Sequence, residues 1–259
     1  MRLHTRFLSL LALTALLGLP GCATDAPKPG PDDAKKAASR LDIGADHLGH
    51  GRNALALREF LAAELLDPIN PRIQYALGEA YLAQGRQKES EAHYRKALEI
   101  DPEYHDAWLS LSALLIIEKR YAEAIQACQL LVDDPTYPTP WSALANMGFA
   151  QFKLGNLSAA RDSLQKAREY KEDYWPATLS LAQVEVQEGR RLDALQLLQE
   201  ALRIKAGPNV DAELNYRIAE IYVSLGRRQE AMGHLTTAVA QAPQGFWGKR
   251  SQEYLKLLR

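Results

Sequence analysis

The sequence predicts an all-α fold, an array of repeated helix-turn-helix units, and three observations lead there. A 34-residue period begins at residue 37 and returns through six units, two short insertions resetting its phase. Within each unit, apolar and small residues recur at helical spacing on two successive segments, so each segment presents one packing face. A glycine separates the two segments at Gly51, Gly85, Gly155, Gly189 and Gly226, where a tight turn needs a positive φ that glycine adopts at least cost. The bulk composition agrees. At 259 residues with 47% hydrophobic and 24% charged residues the chain can bury a core, which excludes disorder as a description of the whole.

The elements follow in chain order. Residues 1–21 carry Arg2 and Arg6 ahead of a 13-residue apolar run, Phe7 to Leu19, too short for a bilayer core that needs about 20 residues. This reads as an export signal. The run ends Leu19-Pro20-Gly21-Cys22, which resembles the bacterial lipobox of lipoprotein precursors. That resemblance implies that Cys22 becomes the first mature residue and carries the lipid, an N-acyl group and an S-linked diacylglycerol. The position calls for a sulfur nucleophile to form the thioether, and several acyl chains at about 0.8 kcal/mol per buried methylene would hold the protein on a membrane. Ala23, where the sorting rule of enteric-type bacteria places Asp for inner-membrane retention, implies the outer membrane. Residues 22–36 then read as the lipidated cysteine and a tether, since residues 23–36 hold three prolines and no apolar periodicity.

The units are 37–70, 71–104, 105–138, 141–174, 175–208 and 212–245. Aligning them puts Phe60 on Tyr94, Ala63 on Ala97, Pro68 on Pro102, and Cys128 where the aromatics stand. Gly148, Ala160, Leu164, Leu181, Ala182, Leu198, Ile218, Ala219, Tyr222, Ala231 and Pro243 fill matching places further on. The pattern resembles the tetratricopeptide repeat, which has a large residue at position 4, Leu at 7, a small residue at 8, Tyr at 11, Ala at 20, an aromatic at 24, Ala at 27 and Pro at 32. Positions 4, 7, 8 and 11 share one helix face and 20, 24 and 27 another, and the small residues let helices approach closely. Unit 3 departs with Lys119 for the turn glycine and Ser112 at position 8, and units 4 and 5 lack the terminal proline, breaks expected to alter the superhelix curvature. Residues 246–259 read as a helix capping the last repeat, as open arrays require.

Chemistry has few candidates. His47 and His50 stand beside Asp46 on the first helix, but no further ligand-like cluster joins them, so a structural or solvent role is expected and no metal or cofactor. No phosphate loop, zinc-binding helix motif or nucleophile elbow occurs, and the chain does not read as an enzyme. The formal charge of -1 becomes -3 without residues 1–21, which leaves no basic footprint for nucleic acid. Cys128 is the only other cysteine, so it can form no internal disulfide with Cys22 lipidated and reads as a buried structural thiol.

In such an array the first helices line a concave surface. Position 5 reads Leu41, Tyr75, Leu109, Ala145, Leu179 and Tyr216, and position 12 reads Leu48, Leu82, Ile116, Phe152, Val186 and Val223, with Phe149 at position 9 beside Phe152. Either this is an exposed apolar strip that binds a partner, or positions 5 and 12 pack within the repeats. The candidate partner-binding residues are Tyr75, Leu82, Leu109, Ile116, Phe149 and Phe152. The lysine and asparagine residues that clamp a peptide carboxylate in some members of this fold are missing, so an amphipathic strand or helix suits the groove better than a free C-terminus.

Signal, short tether, six tetratricopeptide units and cap together resemble the type IV pilus pilotins, the PilF, PilW and Tgl lipoproteins, with layout and size most like Tgl. Membership would imply an outer-membrane lipoprotein, its body in the periplasm, that helps the secretin PilQ insert and multimerise and so supports pilus assembly and twitching motility. No small-molecule substrate is expected. The alternative is a lipoprotein scaffold of the same fold that gathers peptidoglycan hydrolases or synthases.

Overall fold

The computed structural model describes residues 29–258. These form thirteen α-helices and no strand among the described residues. They pair as α1 (Pro31–Gly49) with α2 (Asn53–Leu66), α3 (Pro71–Ala83) with α4 (Gln87–Ile100), and α5 (His105–Ile117) with α6 (Tyr121–Asp133). The second half continues with α7 (Pro140–Lys153) and α8 (Leu157–Tyr170), α9 (Trp175–Gln187) and α10 (Arg191–Arg203), and α11 (Pro208–Ser224) and α12 (Arg228–Gln241), closed by α13 (Phe246–Leu257). Each helix packs chiefly on its neighbours in sequence, which is the contact pattern of a superhelical repeat array.

Two helix starts differ from the sequence expectation. Residues 31–36, read as tether, are the first turns of α1. Pro31 at N1 has φ preset for a helix, and Asp32 and Asp33 place negative charge at its positive dipole end. The stretch 209–211, taken as inserted, is helical as well: Gly207 at φ 124° turns the chain, Pro208 starts α11, and Asp211 lies in its first turn.

Packing inside a unit rests on one size match between positions 8 and 24. A Cβ on Gly44 would overlap the ring of Phe60, one on Gly78 the ring of Tyr94, and one on Gly148 would sit 2.6 Å from Leu164 Cγ. Phe60, Tyr94 and Leu164 are fully buried, so the rings and the leucine use the space that the missing side chains leave. Unit 3 solves the same problem with smaller parts. Ser112 and Cys128 face each other there, both fully buried, with the Ser112 hydroxyl donating to Leu109 O at 2.7 Å and accepting from Asn146 Nδ2 at 3.0 Å. Burial pushes the Cys128 thiol up to about 11, so it is an inert packing group.

The turns between the two helices of a unit are alike in shape. The five turn glycines have φ between 70° and 83°, and Lys119 adopts the same left-handed region at 61°. At the far end α13 lies on α11 and α12: Trp247 packs on Tyr216 with ring centroids 5.1 Å apart, and Arg250 Nε donates to the Tyr216 hydroxyl at 2.9 Å. Gly248 makes this possible, because a Cβ there would collide with the Ala242 carbonyl oxygen.

Candidate functional site

The first helices α1, α3, α5, α7, α9 and α11 carry the concave-face residues, and the structure divides the expected strip into two kinds of surface. At position 5, Leu41, Ala145, Leu179 and Tyr216 are buried, while Tyr75 and Leu109 are half-buried. Tyr75 is engaged with neighbours, its ring edge-on to Tyr104 at 5.4 Å and tilted against Tyr94 at 5.9 Å. At position 12, Leu48, Leu82, Ile116, Phe152 and Val223 are half-buried, and Val186 is exposed. Tyr75, Leu82 and Ile116 pack against the core around Tyr94, Leu111 and Leu115, and Leu109 packs against Cys128 and Met147. In the first three units these side chains therefore complete the core more than they line an opening.

From the fourth unit onward the surface opens. A cavity of about 590 Å³ lies between α7, α9 and α11, lined on one side by Phe149, Phe152 and Val186. The two phenylalanine rings stand 6.4 Å apart at 46°, and the Lys153 ammonium sits over both, 4.9 Å and 5.2 Å from their centroids. The opposite wall is ionic. Arg217 bridges Glu213 at 3.4 Å and Glu220 at 3.2 Å, and its guanidinium lies 4.7 Å from the Trp247 ring centroid. Burial raises the Glu213 carboxyl pKa, an effect that Arg217 opposes. The arrangement can seat an apolar side chain against Phe149, Phe152 and Val186 while a polar flank meets the charged wall.

Of the six groove candidates, Phe149 and Phe152 come together at this cavity and Tyr75, Leu82, Leu109 and Ile116 do not. The sequence scan missed Lys153, Glu213, Arg217 and Glu220 because it followed apolar positions alone. Positions 2 and 9 of the sixth unit, both concave, are Glu213 and Glu220, and reading them would have found the ionic wall.

Cys22 lies outside the described residues. His50 is exposed and its Nδ1 lies 2.8 Å from the Asp46 carbonyl oxygen. Among the described residues no three His, Cys, Asp or Glu side chains converge as metal ligands. No described helix is long and apolar enough to cross a membrane.

Comparison with known proteins fixes the family. The description "Tetratricopeptide repeat" matches residues 41–105 and 146–210 in one form, 185–252 in a second and 93–126 in a third. The chain belongs to the tetratricopeptide-repeat family. Among relatives, the type IV pilus assembly protein PilF of Pseudomonas aeruginosa is 24% identical over 192 residues, 72% of this chain and 75% of PilF. The solved PilF structure aligns with a TM-score of 0.70 at 18% identity, covering 86% of this chain and 99% of PilF. The structure of PilW, described as a widely conserved type IV pilus biogenesis factor, aligns with a TM-score of 0.74 at 21% identity, covering 83% of this chain and 98% of PilW. Cut9–Hcn1 from the APC/C reaches the same TM-score of 0.74 at 17% identity, with 86% of this chain but 43% of that one. Shape similarity therefore identifies the tetratricopeptide superhelix, and agreement in length sets PilF and PilW apart from Cut9–Hcn1.

Proposed function

We propose that this tetratricopeptide-repeat protein is an outer-membrane lipoprotein of type IV pilus biogenesis that acts as a pilotin, promoting insertion and multimerisation of the secretin PilQ. The observation that carries this reading is the similarity to PilF along most of both chains, 72% of one and 75% of the other, whereas three other relatives match over only 8%, 14% and 17% of their own length. The lipobox-like Leu19-Pro20-Gly21-Cys22 supports the anchor. In this reading the Cys22 lipid holds the body at the inner leaflet of the outer membrane, and the cavity beside Phe149 and Phe152 shelters an apolar secretin segment until multimerisation buries it. Seating the segment there removes apolar surface from water on both sides, and the Arg217 network orients its polar flank.

The experiment is the amount of heat- and detergent-resistant secretin multimer in outer membranes of a strain lacking the gene, complemented with wild-type, Cys22→Ala or Phe149→Asp/Phe152→Asp protein. Loss of multimer with normal monomer levels, restored by wild-type protein and by neither variant, is the expected result. Unchanged multimer in the deletion strain would overturn the pilotin role, and rescue by the folded double variant would move the docking site elsewhere.

A further inference from the structure

The outer face of α2 carries two leucines at places where each later second helix carries polar, charged or small residues. Leu61 and Leu65 occupy positions 25 and 29 of the unit, and Leu65 is 87% exposed, more than any other large apolar side chain among the described residues. The corresponding pairs include Arg95 and Glu99 in unit 2, Gln165 and Glu169 in unit 4, and Thr236 and Ala240 in unit 6. The other units thus serve as internal controls: the repeat itself does not need leucine here. Ala54 and Arg58 continue the same face at helical spacing, and the Arg58 side chain is 68% exposed.

The location of this face narrows its occupant. α1 and α2 are antiparallel, so the end of α2 that carries Leu65 lies beside the start of α1. Pro29 lines one cleft together with Asp67 and Ile69, just beyond the end of α2. Cys22 stands seven residues before Pro29, a contour of at most about 25 Å. A lipid on Cys22 would therefore keep this end of the array at the membrane surface, where even a weak second contact is favoured by its high local concentration. A second copy fits less well, because two leucines and an alanine fall far short of the roughly 800 Å² that each partner buries in a stable dimer. Exposed Lys35 and Lys36 stand at the start of α1, Lys36 paired with Asp33 at 3.4 Å. Exposed Arg58, paired with Glu59 at 2.9 Å, stands midway along α2. The three cations give this face a charge that suits anionic headgroups.

Resting on the lipid-anchor reading, we propose that the outer face of α2 lies against the leaflet that holds the Cys22 lipid, docking the array by its first repeat and leaving the cavity of units 4 to 6 facing the aqueous side. Leu61 and Leu65 enter the headgroup boundary, with Arg58 at phosphate level.

The test uses the full lipidated chain on vesicles of phosphatidylethanolamine and phosphatidylglycerol. An environment-sensitive thiol dye is attached at Leu65→Cys or, as control, at Glu169→Cys, with labelling at neutral pH sparing the buried Cys128. A blue-shifted emission quenched by nitroxide-bearing lipids at position 65, and an aqueous, unquenched emission at position 169, is the expected result. The shift at 65 should be lost when Leu61→Glu is added to the labelled chain, with the helical circular dichroism unchanged. An aqueous signal at both positions on vesicle-bound protein overturns the proposal. So does a shift at 65 that follows protein concentration without vesicles, which would assign the face to a second copy. Mass spectrometry of the mature chain separates the two readings: a missing acyl mass at Cys22 defeats the anchor, whereas an acylated chain with an aqueous position 65 defeats only the docking.

Discussion

Lys119 holds a backbone shape that glycine provides in the turns of the five other units, with φ at 61°. A side chain in that region costs about 1 kcal/mol relative to glycine, and Lys119 is exposed and makes none of the salt bridges seen among the described residues. Lys119→Gly should therefore raise stability by about 1 kcal/mol, less the entropy glycine adds to the unfolded chain, read as a higher urea midpoint with unchanged slope. A lowered midpoint would mean that the lysine makes a contact worth more than its strain. The departure at Lys119 was legible in the sequence, because five aligned glycines define what the turn needs. The Ser112 and Cys128 pairing was only half legible. Each stood out singly against its repeat position, but nothing in one dimension shows that the two side chains meet.

At the scale of elements, periodicity located the helix pairs because each repeats a pattern already seen. It failed at α1 and α11, where phase counting stops at a unit boundary while the helix start is set locally, by Pro31 with Asp32 and Asp33 in one case and by Gly207 with Pro208 in the other. The groove was partly legible for a related reason. Phe149 and Phe152 lie on helix faces that any such array presents inward, but whether Tyr75, Leu82, Leu109 and Ile116 face an opening depends on how closely the next first helix approaches. The cap offers a direct test of element packing. Gly248→Ala would drive a methyl group into the Ala242 carbonyl, and backbone cannot yield as a side-chain tip can, so α13 must lift from α12. We expect a loss of about 2 kcal/mol or more and a change in Trp247 fluorescence, since Trp247 would leave Tyr216. An unchanged melting curve would show that the cap is held only loosely.

Across the whole molecule, equivalent sites near both ends should respond together to acid. His93 in the second unit and His234 in the sixth occupy the same repeat position, each with Nδ1 at 2.8 Å from a side-chain amide oxygen, of Gln74 and Asn215, and each ring stacked on a tyrosine, Tyr81 and Tyr222. Burial lowers the pKa of both; at His93, Glu64 opposes and Lys96 reinforces that shift. A histidine whose folded pKa is depressed binds its proton more readily in the unfolded chain. Its contribution is complete above the unfolded value of about 6.5 and declines as pH falls below it. The melting temperature should drop between pH 7 and pH 5, and the slope should flatten in a His93→Gln/His234→Gln variant. An equal slope in the variant would assign the loss to other groups. The size match between positions 8 and 24 carries a different consequence, for descent. A lineage exchanging a glycine and ring for a serine and thiol by single steps must pass through a chain with either a void or a collision. Copying a whole unit carries both members of the pair together and meets neither obstacle, which makes it the smoother physical route for lengthening an array of this kind.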